Sequence, residues 1–173
     1  MPPTRLTVPF AVLLIAALTA FALNARSDFM GQSIENDFPQ EISEAKSKGK
    51  RLVIMFHQLG CPYCDKMRTR VFPEAKVDAF YSKNFVMLES NIKGNLDVVT
   101  PDGEKSTEVK MAQKYRIRAT PVFMFFDTDG KLALKLTGFL DADMFVRAGN
   151  YVTESVHKRP DNISFYRYLK GGS

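Results

Sequence analysis

Cysteine is almost missing from this chain: Cys61 and Cys64 are the only two in 173 residues. A bridge between residues three apart closes too short a loop to stabilise a fold by restricting the unfolded chain. A disulfide-stapled architecture is thereby excluded, and the value of the pair should be chemical. Histidine is equally scarce, with only His57 and His157, which lie far apart in sequence. Zinc asks for four ligands, so the cysteine pair reads poorly as half of a metal site, and no metal and no cofactor are expected. Long runs of one charge are missing as well. The net charge is +5, but basic residues alternate with acidic ones, so nucleic acid is not an expected partner. There is no internal repeat and no low-complexity tract. What the chain does have is apolar residues, at 45%, enough for a core without staples.

The N-terminus carries Arg5, then an uncharged stretch from Leu6 to Ala25 with its apolar centre at Ala11 to Leu23. Small residues offer cleavage sites after Ala22 or Ala25. Residues 1–25 therefore read as a secretory signal peptide, with an uncleaved membrane anchor as the alternative. Either reading puts the folded part in a more oxidising compartment, where disulfides persist. Residues 26–37 read as a linker, 38–157 as the domain, and 158–173 as a tail.

Along the domain, Pro39 opens a helix that turns Ile42 and Ala45 inward, and Gly49 ends it. The unbroken apolar run Leu52 to Phe56 suits a strand buried on both faces. A turn over His57 to Gly60 follows. A helix starts at Cys61-Pro62, since proline is tolerated in a first helical turn, and runs towards Val71. Val77 to Lys83 is helical, and Phe85 to Glu89 is a second core strand. Residues 91–105 form an extended loop or small hairpin. Glu108 to Tyr115 is helical, Val122 to Phe126 and Lys131 to Thr137 form a hairpin about Asp127 to Gly130, and Asp141 caps a last long helix. In the tail, Phe165 to Leu169 forms a short docking helix. Alternating strands and helices with a late hairpin predict an α/β fold, a central mixed sheet flanked by helices.

A thiol attacks as thiolate, and a helix N-terminus favours that form. Cys61 sits at such an end, with Cys64 one turn further in. Cys61 is therefore expected to attack and Cys64 to resolve the mixed disulfide. Pro62 shapes the turn, and Tyr63 offers an exposed aromatic edge beside the sulfurs. These two intervening residues suit a surface turn better than a buried, reduced pair.

From Leu52 to Phe56 and Cys61-Pro62-Tyr63-Cys64, through Tyr115 to Thr120-Pro121, to Val122–Phe126, Gly130-Lys131, Gly138 and Asp141, the order of motifs resembles the thioredoxin superfamily. The resemblance implies a thioredoxin-like fold and a cis Pro121 packed against the cysteines. It also implies a Thr120 backbone free to pair with a substrate, and thiol–disulfide exchange on protein disulfides by a monomer. A membrane thiol electron donor is implied as the second partner, with reduction favoured over oxidation; a disulfide oxidase or isomerase using the same cysteines, or a non-catalytic thioredoxin-fold chaperone or binding module, is the alternative. The polar insertion at 91–107 and the tail are similar to small periplasmic thioredoxins of bacteria, including the SoxW type. Two positions depart from the pattern: Met55 stands where thioredoxins carry a buried aspartate, and Met87 near their strand lysine. Glu89 is the nearest acidic replacement. His57, four places before Cys61, could favour its thiolate. Lys66 and Arg68, after the motif, are read chiefly as a solvated helix face.

Overall fold

The computed structural model describes residues 29–31, 36–161 and 163–171. The expected export segment at 1–25 lies outside them. The first helix, α1 (Phe38–Ser47), is capped by Asp37, whose carboxylate accepts the Gln40 N–H at 3.0 Å. Strand β1 (Arg51–His57) follows, then α2 (Pro62–Lys66), which continues into one widened π turn (Met67–Val71). Next come α3 (Ala75–Asn84) and β2 (Phe85–Asn91), then the short hairpin β3 (Asp97–Val99) and β4 (Lys105–Thr107). Helix α4 (Glu108–Lys114), the β5 (Val122–Phe126) and β6 (Leu132–Thr137) hairpin, α5 (Ala142–Thr153) and α6 (Phe165–Leu169) complete the chain.

The main sheet has the order β2-β1-β5-β6, with β1 parallel to β2 and the other pairs antiparallel. It is the expected mixed sheet. Strand alternation sends Val53 and Met55 to one face, with the cysteines and residues of α3 and α5. Leu52, Ile54 and Phe56 go to the other face, against α1 and α4. Both faces are covered, which is why the β1 sequence is continuously apolar. On the first face Tyr81 stacks on Phe145 with ring centroids 4.1 Å apart, and its hydroxyl donates to the Phe145 carbonyl at 2.7 Å. Helices α3 and α5 come so close that a methyl group on Gly149 would strike the Phe80 ring.

The linker reading of 26–37 needs correction. Phe29 is 1% exposed and packs against Phe72 and Tyr81, with ring centroids 5.5 and 5.3 Å away. Met87 N–H donates to the Phe29 carbonyl at 2.7 Å, and Gly31 N–H to the Met87 carbonyl at 2.8 Å. Residues 29–31 thus add a parallel rung to the outer edge of β2. Burial of the Phe29 ring and these two backbone hydrogen bonds together offset the entropy lost in ordering the segment.

The insertion after β2 is the hairpin β3–β4, and it is tied down at both ends. At its root, Glu108 is 7% exposed and accepts from the Asn91 N–H at 2.7 Å and the Ser90 hydroxyl at 3.2 Å. A side chain on Gly94 would collide with that carboxylate. At its tip, Lys114 bridges Asp102 and Glu104, and the Tyr115 hydroxyl donates to Asp102 at 3.0 Å. Burial, helped by the Asp102 charge, pushes the Tyr115 phenol up to about 12.

At the opposite end of the sheet from the C-terminus of β1, Asp127 is buried among Arg51 (3.0 Å), His157 (3.1 Å) and Lys158 (2.7 Å). Burial opposes its ionisation, but the Lys158 ammonium, the Thr128 N–H and the Arg51 guanidinium outweigh it. Together they hold the carboxyl well below the usual carboxylate range. In the tail, Phe165 and Tyr168 of α6 pack edgewise on Tyr151, each with centroids 5.4 Å away.

Candidate active site

Strand β1 runs through the core and delivers its C-terminal end to the surface, where His57, Gln58, Leu59 and Gly60 turn the chain into α2. Gly60 takes the left-handed conformation (φ 71°) that this turn requires. Cys61 is then the N-cap residue of α2, and its sulfur accepts the Cys64 N–H at 3.2 Å. Cys61 and Cys64 form a disulfide with Cα atoms 5.3 Å apart. Cys64 is fully buried and Cys61 is 4% exposed, so a partner reaches Cys61 first.

A second donor approaches from another element. Thr120, just before β5, places its hydroxyl 3.2 Å from the Cys61 sulfur. The Thr120–Pro121 peptide bond is cis. Among the described residues neither the N–H nor the C=O of Thr120 has a hydrogen-bond partner. The Pro121 carbonyl instead accepts the Gly138 N–H at 2.8 Å, which brings the segment before α5 alongside the cysteines.

On reduction, both donors would face a thiolate and become charge-assisted hydrogen bonds. Thr120→Val, which removes one of them with little change of volume, is expected to raise the Cys61 pKa and slow attack at neutral pH. Thiolate absorbance of the reduced protein against pH measures this. An unchanged titration would show that the hydroxyl does not act on the sulfur.

The remaining predicted residues divide. Pro62 and Tyr63 lie on the surface beside the pair, Tyr63 being 58% exposed. His57 ends β1 opposite Asn91, and no hydrogen bond among the described residues joins its ring to either sulfur. Glu89 stands opposite Met55 in the parallel register, on the sheet face of the cysteines. Its carboxylate is engaged by Arg68 at 2.8 Å, and Arg68 also holds Asp65 at 3.1 Å. Arg68 is thus part of an ion-pair network and not a free solvated charge. Phe139 was not singled out by the sequence. Its ring lies 6.5 Å from that of Tyr63, and the Lys66 ammonium sits 4.2 Å above it. A lone phenylalanine after a glycine carries no periodic signal, so only the fold could place it here.

Residues 38–153 match the family model of the thioredoxin-like domain. The chain belongs to that family. With both cysteines of the motif present and bonded, this thioredoxin-like protein is a thiol–disulfide oxidoreductase. Among solved structures it is similar to a thioredoxin-fold protein from Helicobacter pylori, with a TM-score of 0.67 and 18% identity over 89% of this chain and 94% of that one. It is also similar to a thioredoxin from Thermus thermophilus, with a TM-score of 0.55 and 22% identity over 72% and 88% of the two chains. The C-terminal domain of DsbD from Neisseria meningitidis, in the oxidised form, gives a TM-score of 0.50 and 18% identity over 65% and 90%. These likenesses concern the fold. No curated protein matches the sequence.

Proposed function

We propose that this thioredoxin-like protein is exported to the periplasm and reduces disulfides in protein substrates there. The observation that carries the reading is the placement of Cys61. Its sulfur sits at a helix start within reach of two donors, beside a Thr120 backbone that has no partner among the described residues. An extended substrate segment can pair with that backbone as an added strand, bordered by Pro62, Tyr63 and Pro121. Cys61 then attacks the substrate disulfide, and one substrate sulfur leaves as thiol. Cys64 attacks the resulting mixed disulfide and releases the second. Two protein thiols are oxidised and one substrate disulfide is reduced, so each cycle needs two electrons from outside. A membrane thiol donor is the partner that would supply them, and the protein acts as a monomer.

Export rests on the pattern of residues 1–25, and the reductive direction on the resemblance to small periplasmic thioredoxins of the SoxW type. Among the described residues no helix is long and apolar enough to cross a membrane. The reduction potential of the Cys61–Cys64 couple tests the direction. A value near that of thioredoxin, about −270 mV, supports a reductase, whereas one near −120 mV would make the protein an oxidase. Fractionation of cells producing the full chain tests the location, and retention in the cytoplasm would overturn it.

A further inference from the structure

The charged groups around the cysteine pair divide into those held by a partner and those that are not. The acids beside the site are engaged: Asp65 with Arg68 at 3.1 Å, Asp143 with Lys76 at 2.6 Å, and Asp141 with the Met144 N–H at 2.8 Å. Arg68 and Lys76 are committed to these pairs, but two further cations are not. Among the described residues Lys66 and Arg118 have no ion-pair partner. Arg118 is exposed two residues before Thr120, so its Cα lies within about 7.6 Å of the Thr120 Cα. Lys66 stands over Phe139, in the segment whose Gly138 is bonded to Pro121. One free cation therefore rises from the loop that carries Thr120. The other rises from the helix that carries Cys61, over an aromatic platform made by Tyr63 and Phe139.

Resting on the reading of this site as one for protein disulfides, we infer that it selects extended polypeptide segments carrying acidic side chains close to the reactive cysteine, with an apolar neighbour to lie against the exposed Tyr63 ring. A segment paired with the Thr120 backbone presents successive side chains to opposite sides. Carboxylates flanking its cysteine are then within reach of Arg118 and Lys66, and the same cations steer an acidic segment toward the sulfur before contact. A basic segment meets two unneutralised charges and is disfavoured.

The test uses two synthetic peptides, each with one cysteine capped as a mixed disulfide with 2-thiopyridine and followed by leucine. One carries glutamates on both sides of this pair and the other lysines. Pre-reduced protein consumes them in a single turnover: Cys61 attacks the peptide sulfur, thiopyridone leaves, and Cys64 releases the peptide thiol as the Cys61–Cys64 disulfide forms. At low ionic strength the acidic peptide is expected to react about tenfold faster, with the ratio falling toward one in molar salt. The ratio is expected to vanish in the K66Q/R118Q protein and to invert in K66E/R118E. Because a ratio is read, a general change in thiol reactivity cancels. Equal rates for the two peptides in the wild type, or a ratio untouched by both double substitutions, would overturn the inference. The wild-type protein should also reduce the small neutral disulfide 2,2′-dithiodipyridine. Failure there would sink the underlying redox reading, and the substrate preference with it.

Discussion

Cys64→Ser is expected to turn the protein from a catalyst into a trap. The substituted protein keeps the attacking thiol at the start of α2, so it still forms mixed disulfides. It lacks the buried sulfur, 0% exposed, that would displace the substrate. Multiple-turnover reduction should therefore fall to the uncatalysed rate, while covalent adducts with partner proteins accumulate. Cys61→Ser should show the same loss of turnover without adducts, because burial shields Cys64 from an incoming disulfide. Non-reducing electrophoresis followed by mass spectrometry of the adducts distinguishes the two. Equal adduct yields from both substitutions would reverse the assignment of attacking and resolving roles.

Phe29→Ala is expected to destabilise the domain by about 3–5 kcal/mol, although the residue lies outside the central strands. The side chain is buried against Phe72 and Tyr81, so its removal takes away both ring contacts. Against a total stability of roughly 5–15 kcal/mol for a domain of this kind, that is a large fraction. Cleavage after Ala22 or Ala25 would leave Phe29 on the mature chain. A protein beginning at Ser27 is thus expected to unfold like the full domain, while one beginning at Asp37 should lose about as much stability as Phe29→Ala. Denaturant midpoints measure all three. A loss below about 1 kcal/mol in Phe29→Ala would show that this rung is not part of the cooperative unit.

The strands and the reactive centre were legible because each has a strong local signal. Leu52 to Phe56 is apolar without interruption, Cys61-Pro62-Tyr63-Cys64 cannot be confused with a staple, and Thr120-Pro121 precedes a strand at the right distance. The hairpin in the insertion was also open to reading, since Pro101-Asp102-Gly103 marks its turn. Phe29 was not. It stands in Ser27-Asp28-Phe29-Met30-Gly31, too short for any period, and only the edge of β2 gives it a place. The π turn at Met67–Val71 has no signature in residue type either. Glu89 could be named as an acid near the site, but its commitment to Arg68 depends on a register between strand and helix that sequence does not display. Likewise, Lys66 reads as one more solvated charge until Phe139 is found beneath it.

The buried grip of Glu108 on the end of β2 makes the insertion report on the core. The Asn91 amide is bonded to that carboxylate, and the Glu108 amide to the Leu96 carbonyl at 3.1 Å. Neither amide can meet solvent by a local fraying of the hairpin tip, since the tip has its own separate attachment to Lys114 and Tyr115. Hydrogen exchange at Asn91 should therefore require opening of the same unit that protects β1 and β2. A partner that bound only the hairpin would slow exchange at its outer amides and leave Asn91 unaltered, so this single amide separates docking on the appendage from stabilisation of the whole domain.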